Sequence, residues 1–184
     1  MEEKSNNEIG AWLKIFIIGF LCLVGIRYFL LTPIVVDGAS MNPTFNDGDR
    51  VVVNKISSTI TGYERFDIIV FKFTGNTHYI KRIIGVPGDH IEYKNDELYI
   101  NDKKYEEPYL DEFKFSLKDN EPFTENFTLE AKLGEVVVPE GHYFILGDNR
   151  RNSVDSRVDK VGFVSSDQII GTASFIFWPL GTRE

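Results

Sequence analysis

The chain has 184 residues and a formal charge of −8, room for one domain with a genuine core. Its longest basic run is the pair Arg150-Arg151, which excludes the electrostatic footprint of a nucleic-acid binder. A single cysteine, Cys22, excludes an internal disulfide, and His78, His90 and His142 are dispersed without any metal-ligand spacing, so neither a metal nor another cofactor is expected.

Residues 12–31, WLKIFIIGFLCLVGIRYFLL, are apolar except for Lys14 and Arg27, and about twenty helical residues match a hydrocarbon layer of ~30 Å. The uninterrupted apolar stretch, 15–26, is shorter, and a signal peptide, a membrane anchor and a buried core helix all compete for it. No small-x-small pair follows, since Ala39 has Asp37 two residues before it, which disfavours a cleaved signal. The segment is apolar on all faces rather than striped, which disfavours a core helix. An uncleaved single-pass anchor in a lipid bilayer is the expectation, with Lys14 and Arg27 snorkelling toward opposite interfaces and Trp12, Tyr28 and Phe29 in the aromatic belts. Lys4 and Lys14 against Arg27 weakly favour a cytoplasmic N-terminus. The expected layout is a tail over 1–11, an anchor over 12–31 and an extracytoplasmic domain over 32–184.

After Pro33 the pattern changes to short Val, Ile and Phe runs bounded by Gly, Asp, Asn and Pro, the mark of strands joined by turns. Strands are expected at 34–37, 50–54, 67–73, 78–85, 90–93, 97–100, 135–138, 142–146 and 169–177. Asn101-Asp102, between two strand-like pieces, signals a hairpin. Residues 106–135 are polar, acidic and weakly periodic, and read as a long surface insertion or part of a small cap. No amphipathic helix stands out, so the fold class is mainly β.

Three segments carry candidate chemistry. VVDGASMNPTFNDGDRV, from Val35 to Val51, places Ser40 among turn residues. It has the opening half of a Gly-x-Ser-x-Gly elbow but neither the second glycine nor a following helix, which disfavours an α/β-hydrolase. In HYIKRIIGVPGDHI, from His78 to Ile91, strand alternation puts Tyr79, Lys81 and Ile83 on one face and Ile80, Arg82 and Ile84 on the other, so whichever face is buried takes a cation with it. GDNRRNSVDSR, from Gly147 to Arg157, is a polar loop in which Asp155 and Arg157 can pair and Ser153 and Ser156 offer hydroxyls.

Together the three segments, in this order after an anchor, resemble the type I signal peptidase family, in particular its single-anchor Gram-positive members. The shared motifs are Ser-Met-x-Pro-Thr, Tyr-Ile-Lys-Arg-Ile-Ile-Gly-x-Pro-Gly-Asp and Gly-Asp-Asn-x-x-x-Ser-x-Asp-Ser-Arg. The resemblance covers the chain from the anchor to about Phe177. It implies a mostly antiparallel β catalytic core with a small β subdomain inserted at about 89–139. It implies a membrane-bound endopeptidase that removes signal peptides from preproteins, cutting after small residues of the Ala-x-Ala type and acting as a monomer. By the same resemblance Ser40 is the nucleophile and Lys81 the general base. Ser153 hydrogen-bonds the lysine, Asp155 with Arg157 braces the site, Asp148 supports it, and Val36, Met41 and Ile80 line shallow substrate pockets.

Two positions depart from the family pattern. The usual Arg-Gly-Asp reads Arg65-Phe66-Asp67, and the serine that some members carry two positions before the nucleophile is Gly38. The oxyanion hole is accordingly expected at the Ser40 backbone N–H, with the second donor left open.

A serine hydroxyl needs a base, and a neutral lysine can be one. Shifting its pKa from ~10.4 to ~7 would cost about 4.6 kcal/mol, within reach of apolar burial. His78 points to the opposite strand face from Lys81, which disfavours a Ser–His triad. The competing readings are another Ser–Lys protease of the same clan, betrayed by autolysis at an internal small-residue pair, and a catalytically inactive, membrane-tethered peptide-binding β domain.

Overall fold

The computed structural model describes residues 2–29, 31–55, 62–75, 77–118 and 121–179. It opens with helix α1 (Glu2–Phe29), whose described side chains are exposed on every side, Trp12 at 71% and Phe16 at 73% among them. Among the described residues no helix is long and apolar enough to cross a membrane. The uninterrupted apolar part, residues 15–26, amounts to roughly 18 Å of helix against a hydrocarbon layer of ~30 Å. The expected interfacial placing of Arg27, Tyr28 and Phe29 lies outside the described side chains.

The chain enters strand β1 (Leu31–Val35), which pairs antiparallel with β2 (Arg50–Asn54). β3 (Ile68–Thr74) and β4 (Thr77–Gly85) form a hairpin. β5 (Ile91–Lys94), β6 (Glu97–Ile100), β7 (Lys103–Tyr105) and β8 (Phe127–Thr128) make a separate sheet in the order β7-β6-β5-β8. The chain returns through β9 (His142–Leu146), β10 (Val164–Ser165) and β11 (Ile169–Trp178), completing a seven-stranded antiparallel sheet ordered β1-β2-β11-β3-β4-β9-β10. Strand β11 thus slots between β2 and β3 and ties the serine-bearing end of the sheet to the lysine-bearing one.

Both faces of the central strands are covered. Ile84, Phe144 and Leu146 pack against Ile91, Tyr93, Leu98, Ile100 and Phe127 of the small sheet, while Ile83 and Ile145 pack with Ile69, Phe71 and Val164 on the other side. Alternation in β4 therefore selects no exposed face at 81–84. Lys81 and Arg82 are both buried, at 3% and 7% exposure, where only one buried cation was expected.

Between β7 and β9, residues 106–135 pack as part of a small cap rather than as a long surface insertion. A short 3-10 turn (Pro108–Leu110) and helices α2 (Asp111–Ser116) and α3 (Leu129–Leu133) frame a packed unit in which Glu107, Leu110, Phe123, Phe127 and Leu129 are buried. The apolar anchors are widely spaced single residues and the helices have six and five residues, too short to show a period. Residues 135–138 form no strand. Val136 and Val137 are exposed, and only Val138 is held, its N–H donating to Asp89 O and its C=O accepting from Gly88 N, each at 2.9 Å. Pro139, which has no N–H, follows.

Three turns rest on left-handed residues other than glycine, the first being Asn95-Asp96 between β5 and β6, at φ 53° and 65°. Asn101 and Asp102, at φ 52° and 62°, close the β6–β7 hairpin, as expected of that pair. Phe66, where the resemblance implies glycine, stands at φ 72°, a conformation that costs a side chain about 1–2 kcal/mol. Its ring packs toward Tyr105 and Tyr109, with centroids 6.1 and 6.3 Å away.

Gly171 marks where β11 presses on β2. A Cβ there would lie 2.3 Å from Asn54 O, a backbone atom that cannot turn aside. Gly171→Ala is expected to destabilise the sheet by about 1–3 kcal/mol, lowering Tm in a thermal melt by about 2–4 °C for each kcal/mol.

Candidate active site

Ser40 lies in the loop from β1 to β2, which folds on itself through Val36 N to Asp49 O (2.8 Å), Gly48 N to Val36 O (3.0 Å) and Phe45 N to Met41 O (2.9 Å). Gly38, at φ 93°, makes the bend that raises Ser40 toward β4, and its N–H donates to Asp47 Oδ1 at 2.8 Å. That N–H is therefore engaged and offers no second oxyanion donor, whereas no group among the described residues accepts from the Ser40 N–H.

From β4, Lys81 places Nζ 2.7 Å from Ser40 Oγ and 3.0 Å from Ile80 O. Burial lowers its pKa to about 8, with Arg157 pushing the same way and Asp155 and Asp148 pulling it back up. A protonated Nζ donates to Ser40 Oγ; a neutral one can accept a hydrogen bond from the Ser40 hydroxyl along the same line.

The loop after β9 holds the serine from behind. Asn149 N donates to Ser40 O at 3.0 Å, and Asn149 Nδ2 to Ala39 O at 3.1 Å. Asp148 is gripped by Arg82 through two bonds, Nε to Oδ1 at 2.8 Å and Nη2 to Oδ2 at 2.6 Å, and accepts from Thr44 Oγ1 at 2.5 Å. Arg82 Nη1 also donates to Phe66 O at 3.0 Å, so the strained turn at Phe66 supplies an acceptor to this cluster. Asp155 accepts from Gly147 N at 3.1 Å and from both Nε and Nη2 of Arg157 at 2.8 Å, while Arg157 Nη2 also reaches Arg150 O at 2.7 Å.

Asp148, Asp155 and Arg157 thus stand behind the serine and lysine. The sequence reading missed Thr44, Asn149 and the role of Arg82. The available signal for Arg82 was its place beside Lys81 in a strand with no polar face.

Ser153 departs from expectation. Its Oγ is buried, but it has no hydrogen-bond partner, and the expected bond to Lys81 is not formed because Nζ is directed to Ser40 Oγ and Ile80 O. Ser153 nonetheless lines the same groove as Ser40 and Lys81, an open cleft of about 1230 Å³ that crosses the sheet from β1 to β4. Val36, Met41 and Ile80 line it too, the first two at only 4% and 1% exposure, as a closed floor. Among the described residues no group of His, Cys, Asp and Glu could hold a metal ion.

Residues 9–178 match the family model described as signal peptidase, peptidase S26. The chain is 46% identical over 180 residues to signal peptidase I of Bacillus amyloliquefaciens, covering 97% of this chain and 94% of that one. It is 42% identical over 178 residues to signal peptidase IB of Staphylococcus aureus, covering 95% and 92%. The crystal structure of a signal peptidase I from Enterococcus faecalis superimposes with a TM-score of 0.59 at 42% identity, over 62% of this chain and 99% of that one.

At Gly147 the supporting loop leaves no room for a side chain beside the serine. A Cβ there would lie 2.5 Å from Ser40 O and 2.2 Å from Ser153 Oγ. Gly147→Ala is expected to push Ser40 away from Lys81 and to lower the rate of peptide cleavage by at least about tenfold, while far-UV circular dichroism stays native.

Proposed function

The chain belongs to the signal peptidase, peptidase S26 family and is a serine endopeptidase that removes signal peptides, and from that premise we propose that Ser40 and neutral Lys81 form its catalytic dyad. The observation that carries this reading is the 2.7 Å approach of a buried lysine amine to a serine hydroxyl. As Ser40 Oγ attacks the scissile carbonyl carbon, Lys81 Nζ takes its proton. The oxyanion that forms is met by the Ser40 N–H. The Lys81 ammonium then protonates the departing amine, which leaves as the mature protein while the signal peptide stays as an ester on Ser40. Water attacks that ester, Lys81 accepts the water's proton, and Ser40 recovers its own. The buried, unpaired Ser153 hydroxyl in the same groove supports Ser153 as an orienting partner for the amine.

Cleavage after small residues of the Ala-x-Ala type is supported by the groove floor. Val36 and Met41 are packed almost flush with it, and Ile80 beside Lys81 limits its depth, so a methyl side chain fits where a larger one would have to displace core residues. Membrane anchoring by 12–31, with Lys14 and Arg27 snorkelling, is supported by exposed apolar side chains with no protein packed on them. The same helix runs into β1 within two residues of its end, which would keep Ser40 close to the membrane surface where a substrate's apolar segment emerges. The reading puts 1–11 in the cytoplasm and the protease domain outside it, working as a monomer.

Ser40→Ala, Lys81→Ala and the double variant are expected to lose preprotein cleavage to a similar extent, on the order of a thousandfold or more, because neither partner acts alone. A Lys81→Ala enzyme retaining a tenth of the wild-type rate would remove the lysine from the mechanism. With a lysine pKa of about 8, kcat/KM is expected to fall about tenfold per pH unit below that value and to level off above it. Lys81→Arg is expected to be inactive throughout, since a guanidinium keeps its proton. Protease added to intact protoplasts is expected to degrade residues 32–184 while sparing a cytoplasmic control; equal protection would reverse the orientation.

A further inference from the structure

We propose that the small inserted sheet is a clamp on the catalytic loop, with Glu107 and Arg150 as the positioning residues that keep Ser40 within reach of Lys81; this rests on the dyad reading above. Arg150 leaves the loop that holds Ser40 and enters the inserted unit, where its side chain has no exposed surface. There Nη2 meets Glu107 Oε1 at 2.5 Å, and Nη1 meets Tyr93 Oη at 2.7 Å and Thr124 Oγ1 at 3.3 Å. Tyr93 and Tyr109 each donate to the same Glu107 oxygen, at 2.8 and 2.6 Å. All four partners belong to the inserted unit, from β5 to the segment before β8. None of them lines the groove.

The other side of Arg150 faces the loop. Its Nε donates to Gly147 O at 3.0 Å and its own carbonyl accepts from Arg157 at 2.7 Å. The residue next to Arg150, Asn149, donates to Ser40 O. A second strut runs parallel: the ring of Tyr109, whose hydroxyl is fixed by Glu107, lies 3.8 Å beneath the Arg82 guanidinium, and Arg82 grips Asp148. Glu107 therefore anchors two arginines that flank the Asp148-Asn149 pair behind the nucleophile.

A buried ion pair of this kind is a poor source of net stability, since apolar residues of similar volume commonly do as well. What apolar residues cannot supply is direction, the planar fork that binds Glu107 while its Nε holds Gly147. Catalysis demands that direction, because misplacement by an ångström costs on the order of a hundredfold in rate.

Two variants separate positioning from mere stability. Arg150→Lys keeps the charge opposite Glu107 but loses the fork and the bond to Gly147. An apolar variant combining Arg150→Met, Glu107→Leu, Tyr93→Phe, Tyr109→Phe and Thr124→Val removes the pair together with the hydroxyls that would otherwise be stranded. Both are assayed for preprotein cleavage below their melting transitions, beside Ser40→Ala. Each is expected to lose at least about tenfold in kcat with KM within about twofold of wild type, including an apolar variant that melts as high as wild type. If both folded variants turn over at the wild-type kcat while Ser40→Ala is inert, the clamp is wrong and the dyad stands. If Ser40→Ala itself cleaves, the dyad reading fails first. A rise in KM at unchanged kcat would likewise overturn the clamp, since it would place these residues in substrate binding.

Discussion

A lysine with 3% of its surface exposed either pairs with a carboxylate or is driven toward its neutral form, and Lys81 is arranged for the second outcome. The nearby carboxylates, Asp148 and Asp155, are each occupied by an arginine, Arg82 and Arg157. They still draw the lysine's pKa upward, but burial outweighs them and leaves it at about 8 against an ordinary 10.5. That shift corresponds to a cost of about 3 kcal/mol for keeping Lys81 charged in the native state. The cost is present in full below pH 8 and is relieved as the pH rises toward 10.5, so this group adds stability with alkalinity. A domain with a stability of ~5–15 kcal/mol accepts such a cost only where its packing is secure elsewhere.

Here the security comes from covering both faces of β4 and β9. The inserted sheet closes one face with Ile91, Tyr93, Leu98 and Phe127, while Ile69, Phe71 and Val164 close the other. The same double coverage that dries Lys81 also buries Arg82, which would be costly alone and is instead spent on Asp148. The polar loop 147–157 is thereby converted from a surface turn into an interior scaffold, in which the Asn149 backbone N–H grips the Ser40 carbonyl and its side-chain amide the Ala39 carbonyl. In the proposed enzyme the base and its nucleophile stand 41 positions apart in the sequence's first half, and the scaffold that joins them comes from its last quarter.

Much of this was legible from residue patterns. Short β-branched and aromatic runs between Gly, Asn and Asp gave the strands 50–54, 97–100 and 142–146 without error, because a half-buried or buried strand needs those residues. Residues 135–138 misled for the same reason: three consecutive valines look like a strand, yet only Val138 finds a pairing partner. Strand parity put Lys81 and Arg82 on opposite faces but could not reveal that both faces are covered, since that depends on how a second sheet, begun at Ile91, packs back on the strand. The Glu107–Arg150 pair was illegible because its partners lie 43 positions apart in segments that each look solvated. The idle Ser153 hydroxyl reflects an amine with two other partners within 3.0 Å, a choice that no motif encodes.

The account stands on Lys81 being a depressed, free amine, and this can be observed without turnover. Nuclear magnetic resonance of the chain carrying lysine labelled at the ε-carbon and ζ-nitrogen, with Lys81→Arg identifying the signal by its disappearance, follows each amine through a pH titration. The account predicts one lysine titrating near 8 while the exposed lysines titrate near ~10.4. Lys81 titrating together with the exposed lysines would contradict it.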